Sequence, residues 1–332
     1  MTKFIDFHTH LYPKEYAKHL SGFDELLNYH YLAAEFHRKE PNAILGESKE
    51  ERAEQIWNAL IMNTHFASES VKGILTILEF FSIKPSGYKE TKIKYDGLVD
   101  IETDIFNALG LDSVIMTLDA DDHEEIKYFT DNRFNRYLPS LRITEVNDSL
   151  SGIVDSLKPL YIAYSGEQIS NDLSNVNDLF KFCEEKSLPL ALMLGVKRAV
   201  NPDLGLAGDG VTSLDPIDGL QELLVKYPKV KVCVTTLTPE SQYSLTVLAR
   251  KFKNLTPFGI WWFLNNSSYI KSITNMRVNL LGNTFIPQHS DARVLEHLLY
   301  KWTHTFKELD VEVKSKNGKE FYNEQLMKVL SL

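Results

Sequence analysis

The stretch Phe4-Ile5-Asp6-Phe7-His8-Thr9-His10 near the start of the chain alternates in character, and it decides how the rest of the sequence is interpreted. In an extended strand successive side chains point to opposite faces, so Asp6, His8 and His10 share one face and the apolar residues take the other. Two imidazoles on one face can share a divalent metal ion. The stretch therefore predicts a first strand with two candidate metal ligands at its end, although a histidine pair without further context could also be two ordinary polar residues.

Short β-rich runs recur along the chain and begin units that end in amphipathic helical patterns, which is typical of parallel βα architecture. Eight runs are strand candidates: residues 3–8, 113–118, 136–142, 160–164, 188–194, 230–236, 256–263 and 283–289. They predict an α/β fold of the (β/α)8 TIM barrel type, in which the active site lies at the carboxyl ends of the strands. The histidine pair closes the first run and so falls at that face of the barrel.

Residues 13–110 interrupt this rhythm, because they hold several helical stretches but no convincing strand. One stretch opens with the capping box Ser48-Lys49-Glu50-Glu51. We interpret residues 13–110 as a helical insertion after the first strand, within a single barrel domain that spans residues 1–332. Inside the insertion, residues 83–96 contain a proline, a glycine and several lysines, and we expect them to form an exposed loop.

The composition is that of an ordinary globular chain, since 43% of the 332 residues are hydrophobic and 24% are charged. The net charge of −9 argues against nucleic acid or an anionic membrane as a partner, because both require clustered cations. Cys183 and Cys233 lie in apolar stretches and are expected to be buried thiols. Together with the lack of an apolar signal segment, they favour a cytoplasmic location. A homo-oligomer stays open.

Asp291 follows the eighth strand candidate, where the amidohydrolase superfamily, which the Asp6–His10 pattern resembles, has a metal-binding aspartate. Neutral imidazoles and a carboxylate suit Zn²⁺, with Mn²⁺ or Fe²⁺ as alternatives, because ligand type alone discriminates poorly among these ions. The position also suits a helix N-cap, since an apolar stripe with helical spacing begins at Val294. The two roles are compatible, and the sequence leaves both open.

The Asp-x-His-x-His pattern followed by a late aspartate resembles the amidohydrolase superfamily, whose strand-one histidines bind a divalent metal. Further motifs narrow the resemblance to the uronate isomerase family. In chain order they are Asn28-Tyr29-His30-Tyr31, Leu138-Pro139-Ser140-Leu141-Arg142, Gly195-Val196-Lys197-Arg198, Gly205-Leu206-Ala207-Gly208-Asp209-Gly210, Phe258-Gly259-Ile260-Trp261-Trp262-Phe263 and Ser290-Asp291-Ala292-Arg293. The resemblance covers the chain from Phe4 to about Glu308. It implies a metal-dependent aldose–ketose isomerase whose partner is a small sugar acid, a hexuronate.

The resemblance also implies which residues bind the substrate. Arg142, Arg198 and Arg293 fall at or just beyond strand ends, and a guanidinium can hold a carboxylate through two parallel hydrogen bonds. Each arginine taken alone could equally be a solvated surface residue. Trp261 and Trp262 would line the pocket in the family, although in a regular strand only one of two adjacent side chains can face it.

The catalytic roles follow from the same resemblance. His8, His10 and Asp291 would hold the metal, and Asp291 or a group beside it would move a proton between C2 and C1 of the sugar. His30 and Tyr31 would assist by hydrogen bonding at O5 or C1. His30 also has a plainer interpretation, as a histidine packed on a helical face.

Several positions depart from the family pattern. Met193 stands where a strand-five histidine is expected, and a thioether is too soft to replace imidazole on Zn²⁺. Two alternatives therefore stay open: a metal-dependent hydrolase or lyase of the same superfamily, and a non-catalytic sugar-acid binding protein, which Met193 favours. No Gly-x-Ser-x-Gly elbow or phosphate-binding loop is present in the sequence, so neither a serine nucleophile nor nucleotide binding is indicated.

Overall fold

The main sheet of the protein contains seven parallel strands. The computed structural model describes residues 4–63, 67–312 and 318–330. The strands, each hydrogen-bonded to the next, are β1 (Phe4–Thr9), β2 (Leu111–Asp119), β3 (Tyr137–Arg142), β4 (Ile162–Gly166), β5 (Leu190–Leu194), β8 (Val232–Thr236) and β9 (Leu255–Pro257). A two-stranded antiparallel hairpin, β6 (Val196–Lys197) and β7 (Gly210–Val211), follows β5. The first six strand candidates are confirmed to within two residues at each end.

The segment of residues 285–292 closes the sheet into a barrel. On one side Ile286 donates its backbone N–H to Pro257 O (3.0 Å) and accepts from Gly259 N (2.9 Å). On the other side Asp291 N donates to His8 O at 3.0 Å. The predicted strand at residues 283–289 is wrong in its regularity, because it contributes one β-bridge rather than a ladder. The (β/α)8 architecture is confirmed, with this irregular segment in the eighth position.

Fourteen helices cover the described part of the chain, and six of them lie between β1 and β2, where the described residues form no strand. These six are α1 (Phe23–Leu27), α2 (His30–Lys39), α3 (Lys49–Ile56), α4 (Glu69–Phe80), α5 (Tyr88–Asp96) and α6 (Ile101–Leu109), with a π-helical turn at Trp57–Met62 after α3. The later ones are α7 (His123–Asp131), α8 (Leu150–Leu157), α9 (Leu173–Lys186), α10 (Leu220–Lys226), α11 (Pro239–Ala249), α12 (Ser267–Leu281), α13 (His297–Glu312) and α14 (Gly318–Leu330).

Local sequence signals are reproduced where side chains act on their own helix. The capping box at Ser48 is present, with Glu51 N donating to Ser48 Oγ at 3.1 Å and Ser48 N donating to the Glu51 carboxylate at 3.1 Å. The expected exposed loop at residues 83–96 is wrong, because α5 occupies most of it. Its Tyr88 and Tyr95 are buried and donate hydrogen bonds to Asp24 and Glu296 across the fold.

The C-terminal helices pack beneath the first strand. The Trp302 ring of α13 lies 4.9 Å from Phe4, and its indole N–H donates to Asp6 Oδ2 at 2.8 Å. From α14, Tyr322 accepts a hydrogen bond from Phe7 N at 2.7 Å. Both ends of the described chain therefore form one buried cluster under the face of the barrel that carries the histidine pair.

Two further features bear on the setting of the protein. Cys183 and Cys233 are free and buried as expected, and burial raises the pKa of both thiols. Among the helices of the described residues, none has both the length and the hydropathy needed to cross a lipid bilayer.

The closure of the barrel at Gly259 generates a stability prediction. Gly259 has φ +62°, and an added Cβ would lie 1.9 Å from the ring of buried His289. We expect Gly259→Ala to lower the free energy of unfolding by more than about 2 kcal/mol, because strain and overpacking add.

Gly152→Ala is the matched control, because that glycine lies in α8 with open space around it. It should raise the free energy of unfolding by about 0.5–1 kcal/mol through helix propensity. Urea unfolding of both variants measures the difference, and equal effects would contradict the tight approach at Gly259.

Candidate active site

Three potential metal ligands meet where the barrel closes. His8 and His10 lie at the carboxyl end of β1, and Asp291 lies in the closing segment. Backbone pairing brings them together, since Asp291 N donates to His8 O and His10 N donates to Ala292 O (2.8 Å). The Nε2 atoms of His8 and His10 lie 3.8 and 3.4 Å from Asp291 Oδ1, and the three donor atoms all fall within 4.8 Å of one another. One cation can therefore contact all three.

The surroundings of His8 fix which of its nitrogens is available. Its Nδ1 lies 2.9 Å from the Tyr161 hydroxyl and 3.2 Å from Thr117 Oγ1. Tyr161 donates its own proton to Phe7 O at 2.8 Å, so its oxygen can accept from His8 Nδ1–H. Burial lowers the pKa of His8, which keeps the imidazole neutral. Nε2 then carries the free lone pair and faces Asp291, as a metal ligand requires.

Asp6 does not join this cluster, although it belongs to the same sequence pattern. Its Oδ1 accepts from Ser290 N at 3.2 Å and from His8 N at 3.4 Å, while its Oδ2 accepts from Trp302. Burial raises its pKa to about 6. Asp6 ties the first strand to the closing segment and to α13, and so supports the ligands from beneath.

Asp291 has an unusual backbone and two differently occupied oxygens. Its φ is +52°, a left-handed value that is uncommon for residues other than glycine, although aspartate adopts it more readily than most. Oδ1 faces the histidines, and Oδ2 accepts from Trp261 Nε1 at 3.1 Å. Burial alone would raise the pKa of Asp291, but the hydrogen-bonding contact with His10 and the electrostatic interactions with His10, His8 and His289 outweigh it, so the pKa lies well below its usual range. The N-cap alternative does not hold, because α13 begins only at His297.

The tryptophan pair is not on a strand. β9 ends at Pro257, Gly259 takes a positive φ, and a 3₁₀ turn begins at Trp262, whose φ is +46°. Both Trp261 and Trp262 line the cavity above the metal ligands, so the expectation that only one of them faces the pocket is wrong. The glycine turn removes the alternation on which that expectation rested. The indole N–H of Trp262 is buried without a partner among the described residues.

The three arginines surround this cavity but differ in their partners. Arg142, at the end of β3, forms an ion pair with Asp119, and Arg198 forms one with Asp209 across the β6–β7 hairpin. Arg198 is 60% exposed. Arg293 forms no ion pair with any acidic side chain in the described ranges. The cavity thus brings together every residue predicted from the sequence: His8, His10, His30, Tyr31, Arg142, Arg198, Trp261, Trp262, Asp291 and Arg293, with Met193 also in its wall.

A second, larger lobe adjoins this cavity and was not predicted. It encloses about 400 Å³ and shares Tyr31, Asp209, Trp262 and Asp291 with the arginine-lined lobe. Its further lining comes from three helices and the turn after β9, and includes Glu35, Glu69, Lys301, Asn265 and Asn266. We call the two parts the arginine lobe and the acidic lobe. These residues lie on helices or in the turn and have no distinguishing local pattern, so their place in the pocket could not be predicted from the sequence.

His289 was not predicted from the sequence either. It is buried with both ring nitrogens lacking partners among the described residues, and its ring centre lies 5.7 Å from that of His8. Burial lowers its pKa to about 4, so it stays neutral. It lines the acidic lobe and stands two residues before Asp291, within a segment whose irregular backbone hides it from strand patterns.

The fold and the metal-ligand geometry together define a class of protein, the (β/α)8 barrels of the amidohydrolase type, with a histidine pair after the first strand and an aspartate in the last position. No family model matches the sequence, and no curated protein matches it either. Solved structures do. A uronate isomerase from Bacillus halodurans C-125 has 31% identity and a TM-score of 0.85, with 99% of this chain and 91% of that chain covered.

Two more distant structures share the fold. A uronate isomerase from Thermotoga maritima has 15% identity and a TM-score of 0.75, with 98% of this chain and 92% of that chain covered. A glucuronate isomerase from Caulobacter crescentus has 12% identity and a TM-score of 0.72, with 99% and 90% covered. On the strength of the Bacillus match, this chain belongs to the uronate isomerase family, whose members are isomerase enzymes.

The buried histidines around the site predict an acid-sensitive fold. Burial lowers the pKa of five of them, to about 4 for His30 and His289 and to about 3 for His297; the other two are His8 and His10. In the unfolded chain these groups titrate near pH 6.5, so the unfolded state binds more protons as the pH falls through that value. Asp6 and Glu296, whose pKa values are raised by burial, act in the opposite direction but are fewer.

We therefore expect the free energy of unfolding of the metal-free protein to fall between pH 7 and pH 5. Urea titrations at several pH values measure it, and the His297→Gln variant should show a shallower dependence. Stability that is constant or rises towards pH 5 would contradict this account.

Proposed function

We propose that the protein interconverts the aldose and ketose forms of a hexuronate, D-glucuronate to D-fructuronate or D-galacturonate to D-tagaturonate. The observation that carries the proposal is the three-residue candidate cation site, which lies where the arginine lobe meets the acidic lobe. The carboxylates of the acidic lobe can accept hydrogen bonds from hydroxyl groups. A hexuronate needs both lobes, because one end is a carboxylate and the remainder is a polyhydroxy chain. Membership of the uronate isomerase family supports the same reaction.

The metal would be held by His8, His10 and Asp291. The residues fit a divalent cation, since two neutral imidazoles expose Nε2 towards an ionised carboxylate. We propose Zn²⁺, with Mn²⁺ and Fe²⁺ as alternatives. When bound, such an ion polarises the substrate carbonyl and stabilises negative charge on its oxygen.

The charges of the two lobes orient the substrate. Arg293 offers a guanidinium that forms no ion pair with an acidic side chain of the described residues, and Arg142, which is paired with Asp119, adds a second cation on the same wall. In the other lobe Lys301 pairs with Glu69, while Glu35 forms no ion pair among the described residues, so the lobe keeps negative charge that disfavours the carboxylate there. The substrate carboxylate would therefore lie among the arginines, with Arg198 at the rim, and the reacting end would lie beside Asp291.

The proton transfer would use groups that are already in suitable states. Asp291 is ionised at neutral pH and borders both lobes, so it would accept the proton from one carbon and return it to the next. Burial keeps His30 neutral and raises the pKa of the Tyr31 phenol. Both would act by hydrogen bonding to the substrate, and Trp261 and Trp262 would exclude water from the reacting end.

One alternative has an observation in its favour. Met193 lines the arginine lobe where the family pattern has a histidine, which removes a polar group from the site. A protein that binds a sugar acid without converting it would tolerate this change. The buried free thiols support a cytoplasmic location for either activity.

The proposal is tested by measuring metal content and keto-sugar formation from several hexuronates. We expect about one divalent ion per chain at the His8–His10–Asp291 site and turnover of at least one uronate. Tight binding of glucuronate by metal-loaded protein without turnover would establish the binding protein instead. Release of acid from lactones or amides, without isomerisation, would establish a hydrolase.

Asp291→Asn identifies the residue within the same assay. It should lower turnover by more than about 100-fold, the usual contribution of a positioned base, while the fold stays intact. Asp155→Asn is the matched control, because this carboxylate forms a surface ion pair with Lys186 far from the site. Turnover retained by Asp291→Asn would exclude Asp291 as the proton-transfer group.

The arginines should contribute unequally to substrate binding. We expect Arg293→Ala to raise KM by about 10- to 100-fold, since a charge-assisted hydrogen bond contributes roughly 1.5–3 kcal/mol. Arg198→Ala should change KM less, because Arg198 is largely exposed and is neutralised by Asp209. Initial rates over a range of uronate concentrations compare the two variants. Similar changes in KM for the two variants would show that pairing with an acidic side chain does not determine how much each arginine contributes to substrate binding.

A further inference from the structure

Arg277 of α12 is fully buried, yet no acidic side chain in the described ranges pairs with it. Its Nη1 donates to Gly259 O at 2.8 Å and its Nη2 donates to Gln242 Oε1 at 2.7 Å, while its Nε has no partner in the described chain. Burial lowers its pKa to about 9, so it remains charged at neutral pH. Burying a cation without an anion is costly, and such a residue calls for an explanation beyond packing.

The two acceptors of Arg277 connect it to the ends of neighbouring strands. Gln242 of α11 donates its Nε2 to Thr236 O at 2.9 Å and contacts Thr236 Oγ1 at 3.1 Å, at the last residue of β8. Gly259 lies just beyond β9, at the positive φ where the chain leaves the sheet. Arg277 therefore ties the turn after β9 to the end of β8 through a chain of side-chain hydrogen bonds.

The turn that Arg277 holds leads directly to the metal ligands. After the backbone bond from Gly259 N to Ile286 O, the next residues pair with no strand among the described residues, and side-chain contacts help to set their positions. Ile260 N donates to Gln288 Oε1 at 2.6 Å, and Trp261 Nε1 donates to Asp291 Oδ2. That bond leaves Asp291 Oδ1 facing the two histidines. A shift of the turn would move the indole and release the carboxylate.

We propose that Arg277 is a positioning residue, which sets the turn at Gly259 so that the Trp261 indole holds Asp291 in its metal-binding orientation. The inference rests on the proposed function only in taking Asp291 as a metal ligand. A guanidinium suits the task because its planar fork donates to two acceptors in fixed directions, whereas a lysine ammonium is a single point charge. An apolar residue would leave Gly259 O and Gln242 Oε1 without their donor.

A double-mutant cycle tests the proposal, with Arg277→Lys, Trp261→Phe and the double variant. Zn²⁺ affinity is measured by competition with a chelator, and the free energy of unfolding is measured in parallel. If Arg277 acts through Trp261, each single variant should lose about 10-fold or more in affinity, the usual loss for a residue that orients a metal ligand, and the double variant should lose no more than Trp261→Phe. Additive losses of affinity would overturn the proposal and leave Arg277 as a structural residue.

A second readout does not depend on metal. In the metal-free protein, the indole N–H of Trp261 should exchange with solvent faster in Arg277→Lys than in the unaltered protein, as measured by NMR. Unchanged exchange would overturn the proposal. If the unaltered protein binds none of Zn²⁺, Mn²⁺ and Fe²⁺, the proposed metal site fails, while the exchange measurement still decides whether Arg277 positions the turn.

Two further variants provide an independent probe of the same link and a matched control. Gln242→Met removes the other arm of the same link and should accelerate Trp261 exchange even if Arg277→Lys folds poorly. Arg250→Lys makes the same chemical change on the exposed end of α11, where it should alter neither zinc affinity nor exchange. A change in the Arg250 variant as large as that in the Arg277 variant would count against a specific role.

Discussion

The pairing of β1 with the segment after Ile286 is the constraint on which the site depends. The hydrogen bonds from Asp291 N to His8 O and from His10 N to Ala292 O join residues from opposite ends of the chain. They complete the barrel and set the distances among the three metal-ligand side chains in one step. Because the segment is too irregular to form a ladder, Asp6 and Trp302 reinforce the junction from beneath. Closing the barrel and assembling the cation site are thus the same event.

The charged side chains of the protein by themselves give the two lobes of the pocket opposite character. Burial keeps His8 and His10 neutral, so the arginine lobe is dominated by its three arginines, and the acidic lobe by carboxylates that outnumber Lys301. Asp291 lies at the boundary between the two lobes and stays ionised. A ligand with one anionic end and one hydroxyl-rich end has a single favourable direction in such a field. Orientation then precedes chemistry, since the reacting carbons come to the boundary only when the carboxylate has found the arginines.

The barrel and the histidine pair could be predicted because their signals are local, whereas the other predicted site residues came from the resemblance to uronate isomerases. Alternation in β1 placed His8 and His10, and hydrophobic runs located six strands. The tryptophan turn could not be predicted, since a strand-like run hides the positive φ at Gly259 that tertiary contacts stabilise. The lysines of α5 suggested an exposed loop. The segment is instead a packed helix, because its two tyrosines bond to partners that are distant in sequence and that no local pattern indicates. The lining of the acidic lobe and the position of His289 depend on which segments meet in the folded chain. No local sequence pattern indicates those contacts.

The hydrogen bond from Phe7 N to Tyr322 has a consequence for biosynthesis. A chain is made from its N-terminus at roughly 5–20 residues per second, so the first strand emerges well before its partners on the closing segment and on α14. Until those partners arrive, the His8 and His10 side chains lack the Asp291 carboxylate and their buried setting. The three-residue site is therefore complete only after the closing segment has been synthesised.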